Sequence, residues 1–294
     1  MSLSTIAVTG GNGKIGRAIL SHLTDHGYET VNLARGKRRE EVSDRYITTN
    51  LLDAGETYGA LAESNADAVI HLGTIPGPGS HPQFATYESN AMSAVHIIEA
   101  SESLGLESCC LASSINAMGA EHQQRDPQVK YLPIDEAHPQ TPDDIYGIAK
   151  HAMEVTADGF GRRPDCEMTL STLRYPWVPN EEEVRETFVK PDRSMVDLRE
   201  DDPWTGRQVM FSYLHLDDAC TIARKAVEAD YTGHETFWAV AGDTTAGIPT
   251  TDVVAEFFPE ANLRRELEGY ETLFDISKAE ALLGWKPEYS WRDY

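Results

Sequence analysis

The sequence predicts an α/β fold, in which a doubly wound parallel sheet is joined by a small substrate-binding domain near the C-terminus. Three observations support this prediction. Short apolar segments alternate with segments of helical spacing up to residue 173, as in a parallel sheet covered by helices on both faces. A glycine-rich turn, Gly10 to Gly16, joins the first such pair. Beyond residue 174 the alternation stops, and residues 176–208 are rich in Pro, Glu, Asp and Arg.

The individual elements follow from residue spacing. Short apolar or β-branched runs predict strands, and apolar residues recurring every three or four positions predict helices. The predicted strands are 5–9, 30–34, 46–49, 68–72, 108–113 and 169–173. The predicted helices are 14–26, 54–63, 88–104 and 145–160, and Gly27 is placed to end the first of them. A strand-like piece at 209–214 and helices at 217–229 and 275–283 complete the pattern.

The change of pattern also predicts how the chain divides. With 294 residues, the chain is long enough for one large domain and a smaller one. We predict a larger domain, built on the parallel sheet, from residues 1–173 and about 209–240. Residues of about 174–208 and 241–294 would form the smaller substrate domain.

The charge is the most unusual feature of the composition. The chain has 48 acidic and 25 basic residues, a formal net charge of −23, and only 8 of the basic residues are lysines. Such a surface stays hydrated in concentrated salt, where screening reduces self-repulsion. We therefore predict a halophilic protein, with an ordinary acidic cytosolic enzyme as the alternative. The same charge disfavours nucleic acids and anionic membranes as partners.

The remaining composition indicates a cytoplasmic protein. No apolar run approaches the ~20 residues that span a bilayer, and residues 1–5 do not resemble a signal peptide. The four cysteines form no Cys-x-x-Cys pair, which suits a reducing compartment. We predict no metal site.

The glycine turn predicts a phosphate-binding loop. Gly10, Gly13 and Gly16 are spaced three apart between a predicted strand and a predicted helix. In this context glycines let the backbone approach a pyrophosphate, and the helix N-terminus supplies free N–H groups. A dinucleotide is therefore the expected cofactor, and residues 1–173 with about 209–240 are predicted to form a Rossmann-type, NAD(P)-binding domain.

The end of the second strand bears on which dinucleotide is bound. An acidic residue there usually holds the ribose of NAD, whereas an arginine accommodates the extra phosphate of NADP. This chain has Ala34 and Arg35 at that place, followed by three more basic residues by position 39. We favour NADP over NAD, with a solvated basic loop as the alternative. Leu52 and Asp53, after the third strand, are placed to flank the adenine.

A Tyr-x-x-x-Lys pair predicts the catalytic groups. Tyr146 and Lys150 are four residues apart, so both lie on one face of the predicted helix. A tyrosine with an ordinary pKa of ~10 is a poor base at neutral pH, but a nearby ammonium favours its phenolate. Ser114, at the end of another strand, can hold the oxygen of a substrate hydroxyl.

Taken together, these motifs resemble the extended short-chain dehydrogenase/reductase superfamily, within its NAD-dependent epimerase/dehydratase group. The resemblance covers nearly the whole chain. It includes the glycine loop and the segments Asp67 to Gly73, Ala112 to Gly119 and Tyr146 to Lys150. The shorter matches are Leu173-Arg174-Tyr175-Pro176, His215-Leu216-Asp217-Asp218 and Leu283-Gly284-Trp285-Lys286-Pro287.

The resemblance implies roles for particular residues. It implies that Tyr146 is the acid/base, that Lys150 tunes it and holds the nicotinamide ribose, and that Ser114 positions the substrate hydroxyl. The cofactor-binding residues expected from the motifs and the resemblance are Gly10, Asn12, Gly13, Lys14, Ile15, Gly16, Arg35, Leu52, Asp53, Leu72, Gly73, Asn90, Tyr146, Lys150, Tyr175 and Pro176. The resemblance also implies a homodimer, formed through the 88–104 and 145–160 helices.

Two positions depart from members that act on nucleotide-diphosphate sugars. Where those enzymes commonly have an asparagine and a phosphate-binding arginine, this chain has Trp177 and Phe211. An apolar side chain cannot make the charge-assisted bonds that a diphosphate needs, although Arg185 or Arg207 could replace the missing arginine. Uronate dehydrogenases are similar in their serine, asparagine and glycine motifs. We therefore expect Thr74, Ser114, Asn116 and Trp177 to contact the substrate, with Trp177 as an interdomain core residue being the alternative.

These features predict an NAD(P)-dependent oxidoreductase acting on a hydroxyl of a sugar or sugar acid. Two alternatives stay open. One is a nucleotide-sugar epimerase or dehydratase, which retains its cofactor through the reaction. The other is a non-catalytic NAD(P) sensor, although such proteins typically lose the tyrosine or the lysine.

Overall fold

The computed structural model describes residues 3–189, 198 and 205–294. A seven-stranded sheet, all of whose strands run parallel, forms its centre in the order β3-β2-β1-β4-β5-β7-β8. Its strands are β1 Thr5–Thr9, β2 Glu29–Ala34, β3 Arg45–Thr48, β4 Ala68–His71, β5 Ser108–Ser114, β7 Thr169–Tyr175 and β8 Gly233–Trp238. The predicted Rossmann-type fold class is confirmed.

The helices alternate with the strands as the spacing predicted. Their bounds are α1 Lys14–Asp25, α2 Ala54–Ser64, α3 Gln83–Tyr87, α4 Ser93–Leu104, α5 Ile145–Gly161, α6 Glu181–Phe188, α7 Leu216–Glu228, α8 Thr250–Phe257 and α9 Ser277–Leu283. Side chains at the helix ends fix several of these bounds. Asp53 accepts a hydrogen bond from the Glu56 N–H at the start of α2, and Asp144 accepts from the N–H groups of Tyr146 and Gly147 at the start of α5.

Two apolar layers cover the sheet. Helices α1, α7 and α9 pack on one face, where Ile6 and Val8 of β1 meet Leu20 and Leu23 of α1. On the other face, α2, α4 and α5 form a second cluster that includes Met153. Alternate residues of a strand point to opposite faces, so a strand buried on both faces is apolar throughout.

A second, smaller core lies beside the sheet. Strands β6 Tyr131–Leu132 and β9 Asn262–Leu263 form a two-stranded parallel sheet. Phe211, Trp238 and Phe274 are buried in the associated cluster. This cluster also draws residues from 115–134, a stretch that we assigned to the larger domain, whereas β7 extends two residues beyond the predicted boundary at 173. The domain boundaries stay a prediction.

Three details of the predicted elements were wrong. The helix predicted over 88–104 begins earlier, at Gln83, and is divided into α3, a π-helical turn at Glu88–Met92 and α4. The strand-like piece at 209–214 is a short 3₁₀ turn, Arg207–Val209, followed by irregular backbone. Strand β8 was missed because Gly233–Trp238 mixes polar and apolar residues and lies at the sheet edge.

Two further observations concern the chain as a whole. Among the described residues, no helix combines the length and apolar character needed to cross a bilayer. The four cysteines, Cys109, Cys110, Cys166 and Cys220, are all free thiols.

Candidate active site

A cleft of about 1200 Å³ opens at the carboxyl edge of the sheet. Its walls come from the residues that follow successive strands, such as Gly10 after β1, Arg35 after β2 and Leu72 after β4. Ser114 and Tyr175, at the ends of β5 and β7, close its other end. Ligands of open parallel sheets bind at this edge because the connecting loops diverge there.

The cleft brings together most of the residues that the sequence singled out. The predicted residues that line it are Gly10, Asn12, Gly13, Lys14, Ile15, Gly16, Arg35, Leu72, Gly73, Thr74, Ser114, Asn116, Tyr146, Lys150, Tyr175, Pro176 and Trp177. Although these residues span much of the chain, they share one surface because parallel strands end at the same edge.

Three predicted cofactor residues lie outside the cleft lining. The Asp53 carboxylate is exposed and caps α2, and Leu52 beside it is only partly buried, whereas Leu51 lines the cleft. Asn90 is fully buried and donates to the carbonyl oxygens of Ile75 (3.0 Å) and Thr86 (2.9 Å). In this structure Asn90 therefore anchors the backbone beside the cleft instead of facing it.

The glycine loop leaves room for a diphosphate. Gly10 has a φ of +72°, and a Cβ there would lie 2.9 Å from the backbone of Gly73. Gly13 is the N-cap of α1, lines the cleft and brings no side chain to cover the first turn. The residues present thus fit NAD(P), because helix N–H groups can hold its pyrophosphate while Lys150 lies at the far end of the cleft.

A buried polar network supports this loop. The Thr9 hydroxyl oxygen accepts hydrogen bonds from the N–H groups of Leu72 (3.1 Å) and Gly73 (3.0 Å), and it contacts His71 Nδ1 at 2.8 Å. His71 Nε2 lies 3.0 Å from the Ser93 hydroxyl. Burial lowers the pKa of His71 to about 3, so this ring is neutral and structural.

A basic loop forms the mouth of the cleft beside the glycine turn. The Asn12 side chain holds this loop, because its Oδ1 accepts from the Arg39 N–H at 3.0 Å. Arg35 and Arg39 both line the cleft and are exposed. Neither guanidinium makes a hydrogen bond or ion pair with another described residue. Arg38, in contrast, pairs with Glu40.

Lys150 is buried at the inner end of the cleft. Its Nζ donates to the Ala112 carbonyl oxygen at 2.6 Å and to the Thr74 hydroxyl at 3.4 Å. Burial lowers the pKa of Lys150 to about 7, although the nearby Glu154 carboxylate opposes this shift. The amine is therefore poised to titrate near neutral pH.

Tyr146 lies beside this amine, with Lys150 Nζ 5.6 Å from its ring centroid. Burial raises the pKa of Tyr146, and the charges of Glu121 and Asp144 raise it further. The Ser114 hydroxyl acts in the opposite direction and lowers the pKa of Tyr146 by favouring its phenolate. The three predicted catalytic groups thus all line the same cleft.

The sequence did not predict the buried ion pair that lies behind these groups. Arg174 donates to both carboxylate oxygens of Glu154, from Nε at 3.0 Å and from Nη2 at 2.8 Å. The Ser113 hydroxyl donates to the same carboxylate at 2.6 Å. The only signal available was that Glu154 follows Lys150 by four residues, one further turn along α5.

The substrate end of the cleft contains polar and aromatic side chains. Thr74 and Trp177 line it, and the Trp177 ring also packs edge-on against Phe188 at 5.8 Å between centroids. Glu121 and His122 line it too, and sequence reasoning missed both. No sequence motif marks these two residues, and only the fold places them beside Tyr146.

The three residues considered for diphosphate binding have other contacts. Phe211 is fully buried and packs on Phe257 at 5.0 Å between centroids. Arg207 pairs with Asp126 (2.6 Å), and Arg185 pairs with Glu181 (2.8 Å). None of the three lines the cleft.

The fold and this cleft define an NAD(P)-dependent enzyme of the extended short-chain dehydrogenase/reductase type. The chain belongs to the NAD dependent epimerase/dehydratase family, whose profile matches residues 6–240. That family includes nucleotide-sugar epimerases and dehydratases as well as sugar dehydrogenases.

Individual relatives fall on both sides of this division. The chain is 32% identical to an NAD-dependent glucose-6-phosphate dehydrogenase of Haloferax volcanii, over 51% of this chain and 60% of that protein. It is 23% identical to a UDP-glucose 4-epimerase of Rhizobium leguminosarum bv. trifolii, over 98% of this chain and 94% of that protein.

Solved structures share the fold across the whole chain. A short-chain dehydrogenase/reductase superfamily protein from Agrobacterium tumefaciens, with bound NAD, superposes with a TM-score of 0.71. It is 17% identical and covers 98% of this chain and 94% of its own. A mutated uronate dehydrogenase gives a TM-score of 0.68 at 22% identity, over 99% of this chain and 85% of its own.

Proposed function

We propose that the protein is a dehydrogenase that oxidises a hydroxyl of a free sugar or sugar acid with NAD(P)+. The observation that carries this proposal is the composition of the cleft. Ser114, Tyr146 and Lys150 line the cleft together, and the only arginines among its described lining residues are Arg35 and Arg39 of the basic loop. Phe211 is buried in the second core, where it cannot bind a diphosphate.

The residues of the chain divide the chemistry among them. Ser114 holds the hydroxyl oxygen of the substrate, and Tyr146 accepts its proton. Lys150, when protonated, favours the phenolate form of Tyr146 and can bind the nicotinamide ribose. When bound, the nicotinamide accepts the hydride that leaves the sugar carbon. Burial of these three groups excludes water and strengthens their electrostatic interactions.

A nucleotide-sugar epimerase is the second candidate. The epimerase of Rhizobium leguminosarum aligns with nearly the whole chain, which favours this class. An epimerase would return the hydride to the sugar, so reduced cofactor would not accumulate. A non-catalytic sensor is disfavoured because both Tyr146 and Lys150 are present and face the cleft.

A sugar panel tests the proposed function. Purified protein in concentrated KCl is mixed with NADP+ or NAD+ and with free aldoses, uronic acids, sugar phosphates and UDP-sugars in turn. With a free sugar or sugar acid, the expected result is a steady accumulation of reduced cofactor, followed by its absorbance at 340 nm. Conversion of a UDP-sugar without reduced cofactor would overturn the dehydrogenase and establish the epimerase.

We further propose that NADP is preferred over NAD. Because Arg35 and Arg39 are exposed at the mouth of the cleft without a described partner, each is available to a 2′-phosphate. Replacing Arg35→Ala should weaken NADP+ binding about tenfold or more and leave NAD+ binding nearly unchanged. Calorimetric titration measures both affinities, with Arg162→Ala as an exposed control. Equal losses for the two cofactors would contradict the assignment.

We also propose that the protein is a homodimer. Large apolar side chains on α3, on the 88–92 turn and on α5 are exposed, and these elements contact one another. They are Phe84 (73% exposed), Tyr87 (37%), Met92 (41%), Ile148 (38%) and Val155 (52%). An exposed apolar patch of this kind marks a protein interface.

A charge in this patch should separate the subunits. Val155→Asp would place a carboxylate in the interface, where it loses its hydration. In high salt, sedimentation velocity should show a dimer for the wild type and a monomer for the variant. The control is Val42→Asp, the same substitution at an exposed valine outside the patch, and this variant should remain dimeric. A monomeric wild type would refute the proposal.

The charge of −23 gives a further prediction about salt. We expect the thermal unfolding midpoint to rise by about 5 °C or more between 0.1 M and 2 M KCl, because screening relieves repulsion among the carboxylates. Calorimetry over a series of KCl concentrations measures this rise. A midpoint that falls, or that does not change, would contradict the proposed adaptation to salt.

A further inference from the structure

Asn116 makes two hydrogen bonds to one oxygen atom. It lies in a 3₁₀ turn, Ile115–Ala117, directly after β5. Its side-chain Nδ2 donates to the Ser114 hydroxyl oxygen at 3.1 Å, and its backbone N–H donates to the same oxygen at 3.2 Å. A hydroxyl oxygen has two lone pairs and one proton. Both lone pairs of Ser114 are therefore occupied, and its proton is left to be donated.

Tyr146 lies where it can receive a hydrogen bond from that proton. Ser114 and Tyr146 both line the cleft, and the Ser114 hydroxyl lowers the pKa of Tyr146 by favouring its phenolate. The start of α5 is held tightly against Asn116, because a Cβ on Gly147 would lie 2.4 Å from the Asn116 carbonyl oxygen. The backbone thus fixes Tyr146 relative to the turn that contains Asn116.

The Asn116 amide is turned towards Ser114, although the residue lines the cleft. Its Oδ1 is inaccessible and has no hydrogen-bond partner among the described residues. As placed, the amide makes its described hydrogen bond to Ser114 and not the sugar contact that the sequence suggested. The geometry favours a different role for this residue.

We propose that Asn116 is a positioning residue, which directs the proton of the Ser114 hydroxyl towards the Tyr146 oxygen in the free enzyme and towards the substrate oxygen once a sugar is bound. The proposal rests on the proposed function, because Tyr146 is the acid/base only if the cleft oxidises a hydroxyl. The direction of the bonds is central. An amide N–H donates to Ser114, whereas a carboxylate in the same place would accept its proton and turn it away from Tyr146.

Other titratable groups also lie near Tyr146. Lys150 lies on the same helix, and Glu121 and Asp144 act on Tyr146 through their charges. The His122 ring lies edge-on, 6.0 Å away between centroids. A shift of the pH profile that Asn116 variants show in the wild-type background, but not in the Ser114→Ala background, would therefore report on Ser114.

A double-mutant cycle tests the proposal. Asn116→Leu keeps the size of the side chain but removes the donor, and we expect kcat to fall about tenfold with little change in KM. Asn116→Asp should lower kcat further, because the carboxylate accepts the Ser114 proton. In both variants the rising limb of the pH–rate profile should move to higher pH. In a Ser114→Ala background, neither substitution should lower kcat further.

Two kinetic results would overturn the proposal. One is a change confined to the KM for the sugar, which would indicate direct substrate binding. The other is an equal loss of kcat in the presence and absence of Ser114, which would indicate a merely structural role. Unchanged thermal unfolding midpoints show that the variants are folded. If Asn116→Leu does not fold, Asn116→Ser replaces it in the experiment.

A spectroscopic measurement separates this proposal from the proposed function. With ¹³C-labelled tyrosine, the Cζ signal of Tyr146, assigned by its loss in Tyr146→Phe, is titrated in protein saturated with NADP+. Asn116→Leu and Ser114→Ala should each raise the pKa of Tyr146, and the double variant should match Ser114→Ala. This result can appear even if no sugar is oxidised. An unchanged titration in Asn116→Leu would refute the positioning role alone.

Discussion

Replacing Tyr146 by phenylalanine should lower turnover by about 10³-fold while leaving cofactor affinity nearly unchanged. The substitution removes only the hydroxyl that we propose takes the proton of a substrate held by Ser114. General acid–base catalysis by a positioned side chain typically contributes 10²–10⁴-fold. Steady-state kinetics with the sugar found active, together with calorimetric titration of the cofactor, measures the two effects separately.

The matched control is Tyr58→Phe, the same chemical change at an exposed tyrosine of α2, far from the cleft. This variant should retain wild-type turnover. If Tyr146→Phe keeps more than about a tenth of the activity, the phenol is not the acid/base. If the variant also loses its affinity for the cofactor, its defect lies in the shape of the cleft.

The second large effect is expected on stability. Glu154→Leu should lower the free energy of unfolding by about 3–5 kcal/mol, because it leaves the Arg174 guanidinium buried without its counter-ion. The two side chains are only 4% and 3% exposed, so water cannot replace the lost partner. Denaturant unfolding measures the difference. Glu280→Leu, which breaks an exposed pair with Lys286, should cost less than about 1 kcal/mol.

The effect of Glu154 should depend on pH in a defined direction. The Arg174 charge and hydrogen bonds hold the pKa of Glu154 below its ordinary value, against the opposing effect of burial. Its contribution to stability is thus complete above the ordinary carboxyl pKa and is lost as pH falls through the lowered one. The stability difference between wild type and Glu154→Leu should shrink on acidification. A difference that grows would contradict the assignment.

Local sequence patterns predicted much of the fold. The β1–α1–β2 unit was predictable because Thr5–Thr9 is continuously apolar or β-branched, and three spaced glycines separate it from an amphipathic helix. The same spacing argument placed Tyr146 and Lys150 on one face of α5. Strand β8 was missed because Gly233–Trp238 mixes polar and apolar residues.

The contacts between distant segments were not predictable from spacing. Glu154 and Arg174 belong to different elements, and their pairing requires β7 to lie beside α5. Asp53 was placed near the adenine by its position after a strand, but its side chain caps α2 instead. Asn116 lines the cleft as predicted, yet its amide is turned towards Ser114. Side-chain direction depends on tertiary contacts that a motif does not encode.

The fate of the reduced nicotinamide tests the central claim most directly. Protein, oxidised cofactor and the sugar found active are incubated, and the mixture is passed through a filter that retains the protein. We expect many moles of free reduced cofactor in the filtrate for each mole of protein, as a dehydrogenase requires. At most one mole of reduced cofactor per mole of protein, all of it retained with the protein, would contradict a dehydrogenase and indicate an epimerase.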